Sequence, residues 1–142
     1  MQTAKQLLQH KGNLVWSIRP EESVLKAIEL MAEKSIGALV VMQHGILVGI
    51  LSERDYARKV ILQGRSSIDT KVEEIMTSNV IYIDPSSNVE DCMAVMTKNH
   101  IRHLPVMQEG QLLGILSIGD LVKAQIAEQQ FIIEQLEHYI SS

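Results

Sequence analysis

The sequence predicts an α/β protein of the α+β kind, built as tandem β-α-β-β-α repeats packed around a pseudo-twofold axis. Three observations predict it. Val15–Ile61 aligns with Val80–Ile126 without a gap, and more than a third of the aligned positions are identical, where composition alone would give about one in fifteen. Each copy passes from a short β-rich run to helical apolar spacing, then to two further β-rich runs. One such unit, of about 60 residues, is too small to cover both faces of a three-stranded sheet, so two must share a core.

A helix precedes each copy: Ala4–Leu8 (AKQLL) parallels Val72–Met76 (VEEIM). Three extra residues around Lys11–Asn13 then separate helix from strand in copy one only. The first strands, Val15–Ile18 and Val80–Ile83, end ahead of Pro20 and Pro85, because proline disfavours helix in the residue before it. Val24, Ile28 and Met31, matched by Val89, Met93 and Met96, then recur at helical spacing. Two β-rich runs joined through Gly45 or Gly110 read as a hairpin, and a second helix starts after Ser52 or Ser117. Gln63–Asp69, with Gly64, Ser66 and Ser67, reads as a linker. The expected divisions are residues 1–64, 65–126 and a helical extension over 127–142, with both repeats in one globular module.

The chain has 142 residues, 46% of them hydrophobic, and a net charge of −4. That sign argues against nonspecific nucleic-acid binding. The longest apolar runs, such as Ala38–Met42 and Ile46–Leu51, fall far short of the roughly 20 residues a membrane span needs. MQTAKQLLQHKG has no signal-peptide core, and Cys92 is the only cysteine. No intrachain disulfide can form, and a cytoplasmic location is expected.

Each hairpin ends in Gly-Ile-Leu-Ser-x-x-Asp, Gly49 to Asp55 and Gly114 to Asp120. Ser-x-x-Asp at a strand-to-helix junction makes a capping box, which explains it without any ligand. The same geometry also suits a nucleotide. A helix N-terminus offers N–H groups and partial positive charge to a phosphate, and a carboxylate one turn on accepts bonds from ribose hydroxyls. One serine can serve both purposes.

The duplicated unit with GILSERD and GILSIGD, together with HIRHLPV at His100–Val106, resembles the CBS-domain pair, or Bateman module, over essentially the whole chain. The resemblance implies adenosine-phosphate binding in two clefts, with AMP, ADP or ATP as usual ligands and NAD or S-adenosylmethionine in some members. It implies that Asp55 and Asp120 hold riboses and that Ser52 and Ser117 lie beside phosphates. Backbone near Ile36–Ala38 and Ile101–His103 would approach the ligand, and Val15, Ile18, Val80 and Ile83 would supply apolar walls. It also places Lys11 near Asp120 and Thr77 near Asp55.

The copies diverge where phosphate would sit. Arg102 and His103 replace Gly37 and Ala38, while Arg54 aligns with Gly119. Arginine binds phosphate bidentately and lysine as a point charge. The Asp120 cleft is therefore expected to gather Lys11, Arg102 and His103, and the Asp55 cleft to have Arg54 and fewer cations. A solvated or salt-bridged Arg102 is the plain alternative.

Cys92 aligns with Ala27 on an apolar face and reads as packing. The five histidines show no metal-ligand spacing, so no metal site is expected. Nothing resembles an activated nucleophile, so no enzyme is expected. The tail AQIAEQQFIIEQLEHYISS carries more apolar residues than an exposed helix needs. It is read as a homodimer contact, with an intrachain latch as the alternative. The expectation is thus a homodimeric adenine-nucleotide sensor acting on an unidentified partner protein, without nucleic acid or membrane. The rivals are an interaction module with empty clefts and an enzyme of nucleotide hydrolysis or transfer.

Overall fold

A computed structural model of the chain describes residues 2–12 and 14–141; Asn13, one of the three extra residues, lies outside them. In chain order the elements are α1 (Ala4–Lys11), β1 (Ser17–Ile18), α2 (Val24–Lys34), β2 (Ala38–Gln43), β3 (Ile46–Ser52) and α3 (Glu53–Tyr56), which continues as a π-helical turn over Ala57–Ile61. There follow α4 (Val72–Ile75), α5 (Val89–Asn99), β4 (His103–Gln108), β5 (Gln111–Ser117) and α6 (Ile118–Ser141). Two compact units result: Val15–Val80, and Met1–Leu14 with Ile81–Ser142. The boundaries expected from the repeat follow the sequence, whereas compactness groups α1 with the second hairpin and α4 with the first.

In the Val15–Val80 unit the sheet order is β1-β2-β3, with β1 parallel to β2 and β2 antiparallel to β3. The hairpin turns through His44 and Gly45, both at positive φ, the geometry that matches strand twist in a two-residue loop. Ser23 caps α2 by accepting the Lys26 N–H at 3.2 Å. The apolar face of α2 (Val24, Ala27, Met31) then packs against Leu39, Val41 and Leu51. The π-helical turn brings Val60 into this core, where α4 adds Val72 and Ile75. Thr77 and Ile50 exchange backbone hydrogen bonds at 2.9 and 3.0 Å, tying the end of α4 to β3.

The second unit repeats the hairpin, including the bulge, which falls at Val106/Met107 as it does at Val41/Met42. Its turn uses Glu109 and Gly110 at positive φ. The strand expected over Val80–Ile83 shrinks to a single parallel bridge, Ile83 with Val106. Proline explains the loss. Ile83 N–H donates to Pro105 O at 2.9 Å and Met107 N–H to Ile83 O at 3.0 Å, but the next rung needs an N–H that Pro105 lacks. Val40, at the matching position in β2, has its N–H, and β1 forms there. Leu7 and Leu8 of α1 join Val89, Cys92, Met96, Leu104, Leu116 and Leu121 in the core of this unit.

Candidate functional site

Both motif serines close a strand and start a helix. The Ser52 hydroxyl accepts the Asp55 N–H at 3.1 Å, and Asp55 Oδ2 accepts the Ser52 N–H at 3.0 Å. In the second unit the matching bonds are Asp120 N–H to Ser117 Oγ at 3.2 Å and Ser117 N–H to Asp120 Oδ2 at 2.8 Å. The capping box is thus formed in both places, and its carboxylates lie at helix N-termini where negative charge is favoured. The first helical N–H of each is already used, Glu53 N–H donating to Gly37 O and Ile118 N–H to Arg102 O.

Around Asp120 the structure brings together Lys11, Ser117 and His103, while of Arg102 it is the backbone carbonyl that meets this turn, accepting the Ile118 N–H. Lys11 Nζ lies 2.7 Å from Asp120 Oδ2 and donates to Ile115 O at 2.8 Å. Asp120 Oδ1 has no hydrogen-bond partner among the described residues, which leaves a lone-pair acceptor on a partly buried carboxylate. Burial pushes this carboxyl upward, but the Lys11 ammonium and the Ser117 N–H more than offset it and hold it below the usual range. His103 is shifted down, first by burial and then by the positive charge of Lys11, with Arg102 adding to it against the pull of Asp120. Arg102 itself is exposed and makes no ion pair among the described residues.

Around Asp55 the set differs. Thr77 Oγ1 donates to Asp55 Oδ1 at 3.4 Å, and Lys59 Nζ stands 3.1 Å from the same oxygen while donating to Ile75 O at 2.9 Å. Lys59 was not anticipated from the sequence, and it is a cation beside Asp55 in addition to the Arg54 expected there. Its signal was the i,i+4 spacing from Asp55; the aligned position in the other repeat is Ala124. Both oxygens of Asp55 are engaged, unlike those of Asp120.

The remaining residues are placed as follows. Ile18 and Ile83 belong to the two cores, Val15 and Val80 are half-buried, and Ala38 is buried at the start of β2. Gly37 is half-buried just ahead of it, and Arg54 is half-buried on α3. A surface groove of about 500 Å³ lies between β1 and α2, lined among others by Arg19, Glu22 and Glu29, and holds neither motif aspartate. Among the described residues no His, Cys, Asp or Glu group is arranged to hold a metal ion, and no helix is long and apolar enough to cross a membrane.

Comparisons with known proteins agree with this architecture. The CBS domain family matches residues 13–61 and 72–127. The mitochondrial CBS domain-containing protein CBSX3 of Arabidopsis thaliana is 41% identical over 134 residues, covering 91% of this chain and 65% of that protein. The chain thus spans just under two thirds of that relative. A protein with CBS domains from Burkholderia ambifaria MC40-6 superposes with a TM-score of 0.86 at 51% identity, over 89% of this chain and 96% of that one. The CBS domain pair of protein MJ0100, solved in complex with 5′-methylthioadenosine and S-adenosyl-L-methionine, gives 0.80 at 25% identity, over 90% and 98%. Two family matches falling on the two copies, with the same fold in solved relatives, place this chain in the CBS-domain family as a two-repeat member.

Proposed function

We propose that this chain is a regulatory module that binds an adenine nucleotide, AMP, ADP, ATP or NAD, without catalysing a reaction. The observation that carries the reading is the Asp120 constellation. A carboxylate kept ionised by Lys11 leaves one oxygen open for ribose hydroxyls, while Lys11 and Arg102 supply charge for a phosphate. The adenosine compounds bound by the MJ0100 domain pair support the ligand class. We further propose that the protein works in the cytoplasm as a homodimer and acts on a partner protein, with no part played by nucleic acid or membrane. Ligand changes such a module only through different affinities for two of its states.

A second reading, an interaction module with empty clefts, is favoured by the capping boxes, which satisfy Ser52, Asp55 and Ser117 internally. Mass spectrometry of small molecules released on denaturing the purified protein, followed by calorimetry with AMP, ATP, NAD and free adenine, separates the two. The nucleotide reading expects tight binding of nucleotides and much weaker binding of adenine. Equal affinity for adenine, or no binding at all, leaves the motif as a helix cap.

A further inference from the structure

The second half of α6 is left bare. Leu121 and Ala124 are its last buried residues, and Ile126, Phe131, Ile132, Ile133, Leu136 and Ile140 are all large, apolar and exposed, from 48% at Ile133 to 81% at Ile140. Four of them share one stripe with Val122 and Gln129, with Ile132 flanking it and Phe131 off it. Val122, Ile126, Gln129, Ile133, Leu136 and Ile140 follow one another at steps of four, three, four, three and four, the a/d spacing of a two-helix seam.

We infer that α6 pairs with α6 of a second copy as an antiparallel coiled coil, an inference that rests on the homodimer reading and gives it a surface and an orientation. The charges decide the orientation. Beside the seam, the e positions are Lys123, Gln130 and Glu137. In an antiparallel pair each e position faces an e position of the other helix. Lys123 then meets Glu137 of the second copy at both ends, and Gln130 meets its own counterpart at the centre. The seam closes in the same register, Val122 against Ile140, Ile126 against Leu136 and Gln129 against Ile133. A parallel pair offers no such match: it would set Gln129 against Gln129 and the Glu137 carboxylate beside Ile132. Antiparallel helices also oppose their dipoles. Lys123 and Glu137 are both exposed in the single chain, so neither charge is committed to the core of its own unit.

The test uses the full chain with Cys92→Ala, the residue the first repeat already carries at the matching position. In the antiparallel pair, Val122→Cys together with Ile140→Cys gives an oxidised covalent dimer, and neither substitution alone does so. Efficient cross-linking by each single variant would mean a parallel pair and would overturn the inference. Independently, Glu137→Lys should lower the dimer fraction seen by light scattering several-fold at micromolar concentration, and adding Lys123→Glu should restore it. A dimer that survives Ile133→Asp undiminished would overturn this surface while leaving the homodimer reading intact. A monomeric unmodified chain at tens of micromolar would remove both.

Discussion

Lys11 and Asp120 stand 109 positions apart in the chain, yet their side chains meet at 2.7 Å. The contact joins the end of α1 to the start of α6, and it decides how the carboxylate of the second motif is charged. Burial alone would favour the protonated acid; Lys11 and the Ser117 N–H reverse that and lower its pKa. A depressed folded pKa gives stabilisation that is present above the unfolded value of about 4 and is lost as pH falls through the folded value.

Lys11→Met should therefore flatten the acid limb of the melting curve below about pH 4. Because the pair is partly exposed, the cost at neutral pH should be at most about 1 kcal/mol, or roughly 4 °C in Tm. Calorimetric scans from pH 3 to pH 7 check this, and an acid limb identical to that of the unmodified chain would contradict it.

The motif glycines are set by close packing rather than by backbone twist. A Cβ on Gly49 would meet Met76 Sδ at 2.6 Å and the Thr77 carbonyl at 3.1 Å; one on Gly114 would meet Leu8 Cδ2 at 2.7 Å. Gly49→Ala faces backbone and should cost about 1–3 kcal/mol. Gly114→Ala faces only the end of a leucine side chain and should cost less. Urea titrations rank the two, and the opposite order would show that the α1 contact is the stiffer.

Much of this was legible in the sequence because the duplication checks itself. The hairpins, the turns at Gly45 and Gly110, and the capping serines are each written twice. What escaped was written once. Pro105 has no counterpart in the first repeat, and it alone removes the rung that would have made Val80–Ile83 a strand. Lys59 escaped because a lysine four residues from an aspartate on a helix is ordinary, and the second repeat has Ala124 there. The π-helical turn over Ala57–Ile61 left no mark in the apolar spacing either.

Cys92 should be chemically silent in the folded protein. It is fully buried, and burial, aided by Asp91, pushes its thiol up to about 11. At pH 8 a thiol-disulfide reagent should modify it only as fast as the protein opens, and at once in denaturant. Rapid labelling of the native chain would contradict this burial.

Arg102 is exposed at the turn into β4 and its carbonyl accepts the Ile118 N–H at the start of α6, and a charge-assisted bond to phosphate contributes roughly 1.5–3 kcal/mol. Arg102→Ala should accordingly weaken AMP binding by about 10- to 150-fold, and Arg102→Lys should recover part of it. Unchanged affinity in Arg102→Ala would make the side chain a solvated bystander.

The most direct test of the nucleotide reading is calorimetric titration of AMP into the Asp120→Ala and Asp55→Ala chains. Asp120 keeps Oδ1 open, while both oxygens of Asp55 are engaged by Ser52, Thr77 and Lys59. Asp120→Ala should lose the tight phase, by about 10- to 150-fold, and Asp55→Ala should keep it nearly intact. Loss of the tight phase in Asp55→Ala but not in Asp120→Ala, or full-strength binding by both, would contradict the account.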